Sequence, residues 1–374
     1  MVSRVLRVLG WLFSLLPIVD DRVVLASPRS ARLEGNLRYL HAAFRARYPA
    51  LKLVILVEPY GYGFRAKVVY LARAVRGMYY LRTSRLFIVD NAYLPVHVAP
   101  HRPETTVVQV WHAVSAVKRF GMDTARPPAE PERTFLHRHY DCVVVSADGV
   151  RSVYATALRT PIERVLALGT PRTDFFFDPA AMKEARDRLH RAYPALVGRR
   201  VVLHAPTLRG RGKEKRSATS LDPVRLRAQL PPDYAVVLKG HPNVDPGVVP
   251  TAGYDVVIDP TAEINEVLAL TDILVTDYSS AVFEFAFLRR PVVLMTGDLA
   301  EYERDPGVSV DFETEMIGIK VADTDGVAEV ILAGRFDLSG YDAFIAHHLG
   351  ACDGHASLRV VERFAEGPAT TADR

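Results

Sequence analysis

Short runs of Val, Ile and Leu alternate along this chain with longer stretches in which apolar residues recur at helical spacing. In the first half the runs fall at residues 23–26, 53–57, 86–89, 107–110, 142–145 and 165–168. A second series follows at 201–204, 235–238, 256–258, 273–275 and 292–294. Continuous apolar runs of this length, rich in β-branched residues, predict strands buried on both faces, as in parallel sheets covered by helices. The expected fold class is therefore α/β, with two Rossmann-like lobes facing a cleft.

Between the two series lies a charged helical pattern at 180–192, followed by Pro194. It places the boundary near Asp178, giving an N-terminal Rossmann-like domain over 21–178 and a C-terminal one over 179–366. Residues 367–374 read as a frayed tail. Ligands of such sheets sit beyond the carboxyl ends of the strands, so those ends are where chemistry is expected.

Residues 5–19 form an apolar stretch of another kind. At about 15 residues it is short of the roughly 20 that a transmembrane helix needs. It also lacks a small-residue cleavage site before Asp20-Asp21, which argues against a signal peptide. Residues 1–20 fit an interfacial helix, with Trp11, Leu12, Phe13, Leu15 and Leu16 entering the lipid boundary and Arg4 and Arg7 near head groups. They fit equally a helix packed on its own domain.

Charge sharpens this picture. The net charge of +4 is the sum of two unlike parts: residues 1–126 hold 19 Lys/Arg against 7 Asp/Glu, net +12, and the remainder holds 28 against 36, net −8. The first part is expected to seek anions such as lipid head groups or polyphosphates. Its aromatic residues lie mostly in apolar runs and are not interleaved with Lys and Arg as a base-stacking groove requires, so no nucleic-acid partner is expected. The 2 cysteines provide neither a disulfide framework nor metal-ligand spacing, and suggest a reducing compartment.

The strand ends carry the candidate chemistry. Asp277-Tyr278-Ser279-Ser280 follows the run 273–275 and precedes a helical pattern, so backbone N–H groups and hydroxyls point at one spot where a helix dipole also favours anions. The same residues would serve as an ordinary N-cap. His112 stands just past the run 107–110, as either a core histidine or a base for a hydroxyl proton, and Lys118-Arg119 follow it. His204, Thr207 and Arg209 end another run, and His241, fixed by Pro242, ends a third. If the second sheet is parallel, these ends converge as a seat for a diphosphate. The basic segment 210–216 reads as a solvated hairpin or a weaker grip on an anionic acceptor.

No Gly-x-Gly-x-x-Gly follows an early strand and no Gly-x-x-x-x-Gly-Lys-Ser/Thr occurs, which removes most support for a Rossmann dehydrogenase or a P-loop kinase. No metal and no cofactor is expected. Phosphate handling then falls to backbone N–H, hydroxyl, His and Arg groups.

Five segments in order resemble the CDP-glycerol glycerophosphotransferase family of teichoic-acid primases and polymerases. They are Gln109-Val110-Trp111-His112-Ala113 with Lys118-Arg119-Phe120-Gly121, then Gly169-Thr170-Pro171-Arg172-Thr173-Asp174, Ala205-Pro206-Thr207-Leu208-Arg209, Leu238-Lys239-Gly240-His241-Pro242 and Asp277-Tyr278-Ser279-Ser280. Weaker echoes lie at residues 36–40 and 353–357. Ala113 departs from the family's Gly, and residues 27–32 lack a Gly-rich form often seen in relatives.

The resemblance implies a GT-B-like fold, with an acceptor lobe followed by a nucleotide lobe. It implies transfer of glycerol phosphate or a related polyol phosphate from CDP-glycerol or CDP-ribitol to a hydroxyl of a lipid-linked saccharide or polyol-phosphate acceptor, with release of CMP. The expected place is the cytoplasmic face of the cell membrane, held peripherally. His112 and His241 would be catalytic, and Thr207, Arg209, His241, Asp277, Ser279, Ser280 and Glu284 would bind the donor, Glu284 at a ribose hydroxyl. Lys118, Arg119 and Arg172 would bind acceptor or phosphate. A nucleotide-sugar glycosyltransferase on the same fold, or a non-catalytic polymer-binding or membrane-binding relative, are the competing readings.

Overall fold

A computed structural model describes residues 2–59, 64–124, 136–209, 216–217, 221–240, 251–305 and 307–365. The described chain divides into two compact units. The first takes the chain up to Ser115, Phe120–Asp174 and the chain from His348 onward; the second takes Ala116–Arg119 and Phe175–His347. The change of unit at Asp174 and Phe175 lies close to the expected boundary. Assignment of the whole C-terminus to the second domain is corrected, because the chain from His348 returns to the first unit.

The first unit is built on six parallel strands in the order β2-β1-β3-β4-β5-β6: β1 Val19–Ser27, β2 Lys52–Val57, β3 Ser84–Val89, β4 Thr106–Gln109, β5 Cys142–Val145 and β6 Val165–Ala167. All six coincide with apolar runs of the sequence. Helix α1 spans Val2–Phe13, α2 Gly35–Arg47 and α3 Phe64–Thr83.

The return of the C-terminus has a clear cause. The helix Ala356–Ala365 turns Val360, Val361 and Phe364 into a core shared with Leu37, Leu40 and Phe44 of α2 and with Val23, Leu25, Leu86 and Ile88 of the sheet. Each such burial is worth roughly 2 kcal/mol. Asp174 fixes the start of this helix, accepting the N–H of Ala356 at 2.9 Å and of Ser357 at 2.8 Å. Gly169 lets the returning chain approach: its φ is +89°, and a Cβ there would stand 2.3 Å from the Ala351 carbonyl oxygen. Thus the Gly-x-Pro-Arg-x-Asp segment and the echo at 353–357 are two halves of one junction.

The second unit holds six parallel strands in the order β11-β10-β7-β12-β13-β14 and a small antiparallel hairpin of β8 and β9. The strands are β7 Arg200–His204, β8 Leu208–Arg209, β9 Arg216–Ser217, β10 Tyr234–Lys239, β11 Val256–Ile258, β12 Ile273–Thr276, β13 Val292–Met295 and β14 Ile319–Val321. The helix Pro179–Ala192 opens the unit where the pattern places it, with Pro at its first position and the Asp178 carboxylate accepting from Ala180 N and Ala181 N, each at 3.0 Å. The sequence reading missed β14, whose three half-buried residues include Lys320.

At the amino edges of both sheets an Asp preceding one strand closes the start of its neighbour. Asp141 accepts from Val107 N, Asp272 from Val201 N and Asp255 from Val236 N, at 2.7–2.8 Å. These carboxylates therefore serve the ladders and leave the opposite, carboxyl edges to carry the chemistry.

Helix α1 packs one side on its own domain and leaves the other open. Leu6 and Gly10 are buried against α3, where a Cβ on Gly10 would come within 2.9 Å of Met78 Sδ, and Phe13 meets Tyr79 edge-on at 5.6 Å. The other side stays open: Val8 is 59% exposed, Trp11 64% and, just beyond the helix, Leu15 72%. Arg7 is exposed, with its Nε donating to the Val98 carbonyl at 2.7 Å. Among the described residues no helix is long and apolar enough to cross a membrane.

Candidate active site

In the first unit the site begins where β4 ends. Val110 N donates to Val89 O at 2.8 Å, the last sheet bond of this strand. Trp111 then adopts φ +47° and Ser115 φ +53°, bracketing His112 between two left-handed residues. A left-handed conformation costs a residue with a Cβ about 1–2 kcal/mol, so the turn must be held from outside.

Buried side chains supply that hold. Gln109, fully buried, accepts Trp111 N–H on Oε1 at 2.8 Å, and its Nε2 donates to Asn91 O at 3.2 Å and to the Tyr140 hydroxyl at 3.1 Å. Tyr154 donates to Ala113 O at 3.2 Å and Ser115 O at 3.0 Å. The Trp111 ring neighbours those of His112, at 4.6 Å, and Phe120, at 5.0 Å. His112 is half-buried, presented by a rigid turn and not sunk in the core.

The Ala113 departure costs the backbone nothing, because Ala113 is not among the positive-φ residues that would demand glycine. Two other histidines behave as core residues. Burial lowers His97 to about 3 and His137 to about 4, and the two rings meet edge-on at 5.4 Å.

In the second unit β7 lies between β10 and β12, so the three strand ends named by the sequence are neighbours. Asp277, just past β12, accepts Thr207 N–H at 2.9 Å on one oxygen and the Thr207 hydroxyl at 2.8 Å on the other. Its carboxylate thereby organises the turn and presents Thr207, which is a different task from touching an anionic phosphate itself. Thr276 adds a hydroxyl bond to Ala205 O at 2.6 Å.

Tyr278 is fully buried, donates to Asp298 at 2.8 Å and stacks on Tyr302 at 3.9 Å. Ser279 Oγ accepts Ala281 N–H at 3.2 Å, while Ser280, at the N-cap of the helix Ala281–Ala286, makes no side-chain cap bond. The capping role thus falls to Ser279 and not to Ser280. Glu284 is only 1% exposed, enclosed within the unit, which sets it apart from the serines as a ribose partner.

Lys118 and Arg119 belong to the second unit and not to the acceptor domain in which the sequence reading placed them. Lys118 bridges to Val308, and its ammonium sits 5.5 Å from the centre of the Tyr302 ring that stacks on Tyr278. Arg119 donates from its backbone N–H to Gly307 O at 3.0 Å and from Nε to Val308 O at 3.1 Å. Arg172 stays in the first unit, 9% exposed.

His241 and the side chain of Arg209 lie outside the described residues, as do residues 210–215 of the basic segment. The preceding Lys239 is buried, held to about 8 by that burial, and donates to Pro260 O at 2.7 Å. His204 is a structural residue: its Nδ1 lies 2.6 Å from the Tyr254 hydroxyl, and burial lowers it to about 3. Asp323-Thr324-Asp325 has the spacing of a metal-binding carboxylate pair but is spent otherwise, Asp323 capping a helix through Gly326 N and Asp325 pairing with Arg225.

Sequence reasoning missed Asn36, Gln109 and Tyr154 as supports of the His112 turn. Only the echo at 36–40 and the Gln of the Gln-x-Trp-His segment hinted at two of them.

Comparison with known proteins agrees with this geometry. A teichoic acid ribitol-phosphate primase of Bacillus spizizenii is 32% identical over 94% of this chain and 92% of its own length. A teichoic acid poly(ribitol-phosphate) polymerase of the same organism is also 32% identical, but the match spans only 57% of that longer protein. Among solved structures the wall teichoic acid polymerase TagF superposes with a TM-score of 0.76 at 20% identity, covering 96% of this chain and 92% of that one, which shows a shared GT-B-like fold. The family described as CDP-Glycerol:Poly(glycerophosphate) glycerophosphotransferase matches residues 10–366. This chain therefore belongs to the CDP-glycerol glycerophosphotransferase family.

Proposed function

We propose that the chain transfers a polyol phosphate, glycerol phosphate or ribitol phosphate, from a CDP-alcohol to a hydroxyl of a lipid-linked acceptor in teichoic-acid or related cell-wall polymer synthesis. The observation that carries this reading is the pairing of two built sites within one family member. One is a rigid turn presenting His112; the other is a parallel-sheet edge gathering Thr207, Ser279 and Ser280 around the Asp277 lock.

In the reaction His112 takes the proton of the acceptor hydroxyl. The oxygen attacks the phosphorus that bears the polyol, a new P–O bond forms, and the P–O bond to the cytidylyl group breaks. CMP leaves with the bonding pair. Hydroxyls of Ser279 and Ser280, with Arg209, His241 and Lys118, meet the diphosphate as charge moves to the departing phosphate, while Thr207, whose hydroxyl proton goes to Asp277, fixes the turn beside them.

Helix α1 supports a peripheral place on the cytoplasmic face of the membrane. One side is anchored by Leu6 and Gly10, while Val8, Trp11 and Leu15 remain open beside the basic excess of residues 1–126. A donor screen tests the chemistry. CMP release from CDP-ribitol or CDP-glycerol, dependent on a synthetic prenyl-diphosphate saccharide, is the expected result. UMP, UDP or GDP release from a nucleotide sugar, with CDP-alcohols inert, would favour the glycosyltransferase reading. Tight CDP-alcohol binding without turnover across several acceptors would favour a non-catalytic relative.

A further inference from the structure

Asn36 has no role in the chemistry above, yet its amide joins the His112 turn and the Arg172 segment of the first unit. It lies in the first turn of α2 and is 2% exposed. Its Nδ2 donates to Val110 O at 3.1 Å and to Trp111 O at 2.8 Å; its Oδ1 accepts the N–H of Arg172 at 3.1 Å. Both donors and the acceptor of the side chain are spent, none of them on its own helix.

The pattern depends on the left-handed Trp111. In an extended strand successive carbonyls point to opposite sides, so one amide cannot serve two in a row. At φ +47° the Trp111 carbonyl swings round to the side of the Val110 carbonyl, and one NH2 group reaches both. Gln109 takes the Trp111 N–H from the other direction at 2.8 Å. The two buried amides hold the peptide that leads directly into His112, and Asn36 ties that peptide to the backbone of Arg172.

We propose that Asn36 is a positioning residue that sets the His112 turn and fixes it to the Arg172 segment. The proposal rests on the reading of His112 as the base. A buried amide left without its partner costs roughly 1–3 kcal/mol, comparable to the cost of the left-handed turn, so removing Asn36 releases Trp111 toward ordinary backbone geometry. A shift of about 1 Å at a reacting group can cost on the order of 100-fold in rate.

The test compares Asn36→Asp with wild type and with His112→Ala, using CMP release for turnover and calorimetric titration of CDP-ribitol or CDP-glycerol for donor affinity. Asn36→Asp keeps the acceptor for Arg172 N–H but sets a carboxylate oxygen against two carbonyls. Asn36→Ala, which removes the amide without adding charge, is the second variant should the buried carboxylate impair folding.

The expected result is a kcat lower by about 100-fold with donor affinity within about 2-fold of wild type and the folded fraction unchanged by circular dichroism. Combining either variant with His112→Ala should add little further loss, because both changes act through one group. A kcat within about 3-fold of wild type in a folded Asn36 variant, with His112→Ala inactive, would overturn the positioning role alone. So would a parallel loss of kcat and donor affinity. Full activity in His112→Ala would instead remove the base on which the role depends.

Discussion

The carboxylates of Asp174 and Asp277 look alike in sequence, the first closing and the second opening a segment that resembles a family motif, yet each is fully engaged in structure. Asp174→Ala should destabilise the first unit by about 1–2 kcal/mol, the usual scale for losing a helix cap, read as a lower urea midpoint. Donor affinity should stay unchanged, since the donor is assigned to the second unit. Asp277→Asn should act differently. It puts an NH2 group against a donor of Thr207, and the expected outcome is a donor Kd raised at least 10-fold, or about 1.4 kcal/mol. An unchanged Kd would remove Thr207 and its turn from the donor site.

Helix α1 carries the prediction that belongs to the element. Trp11→Ser with Leu15→Ser alters side chains already 64% and 72% exposed, so thermal stability should hold while binding to phosphatidylglycerol vesicles is lost in a flotation assay. The converse change, Leu6→Asp, strikes the buried side and should unfold the helix from α3. The chain has 2 Trp, and Trp111 is only 7% exposed, so a blue shift on adding vesicles reports Trp11. Vesicle binding that survives the double substitution would remove α1 as the membrane contact.

The elements also show what the sequence can reveal. The run 142–145 was legible to the residue and 292–294 nearly so, because strands buried in a parallel sheet are apolar throughout. The return of the helix Ala356–Ala365 was not. Its amphipathic pattern announces a helix but not the sheet that its apolar face covers, and the Asp174 cap joins residues 182 and 183 positions apart. The same limit hid the hold on His112. A motif shows the residue presented, whereas Asn36 and Tyr154, the amide and hydroxyl that present it, come from distant helices.

For the whole molecule, pH links these parts. His97, His137 and His204 are held by burial at about 3, 4 and 3 against an ordinary 6.5. Below pH 6.5 the unfolded chain therefore binds protons that the folded chain refuses, and stability falls on acidification by up to about 1.4 kcal/mol per pH unit for each His. Asp90 opposes them: burial raises it to about 6, so acidification through the range between about 4 and 6 favours its folded, protonated form. Glu58 and His101, both raised, oppose them as well, while His41 and His139, both lowered, add to them, and the three deeply buried histidines dominate. The urea midpoint should drop between pH 7 and pH 5, and His204→Asn should flatten that drop; a midpoint that stays level in wild type would contradict the neutral core histidines.

The central claim is that one chain joins a CDP-alcohol donor site to a His112 base. It is tested most directly by CMP release from CDP-ribitol and CDP-glycerol with a lipid-linked acceptor, comparing wild type with a folded His112→Ala. Acceptor-dependent release that falls by at least about 100-fold in the variant, with donor affinity retained, is the predicted result. Release at the wild-type rate in His112→Ala would contradict it.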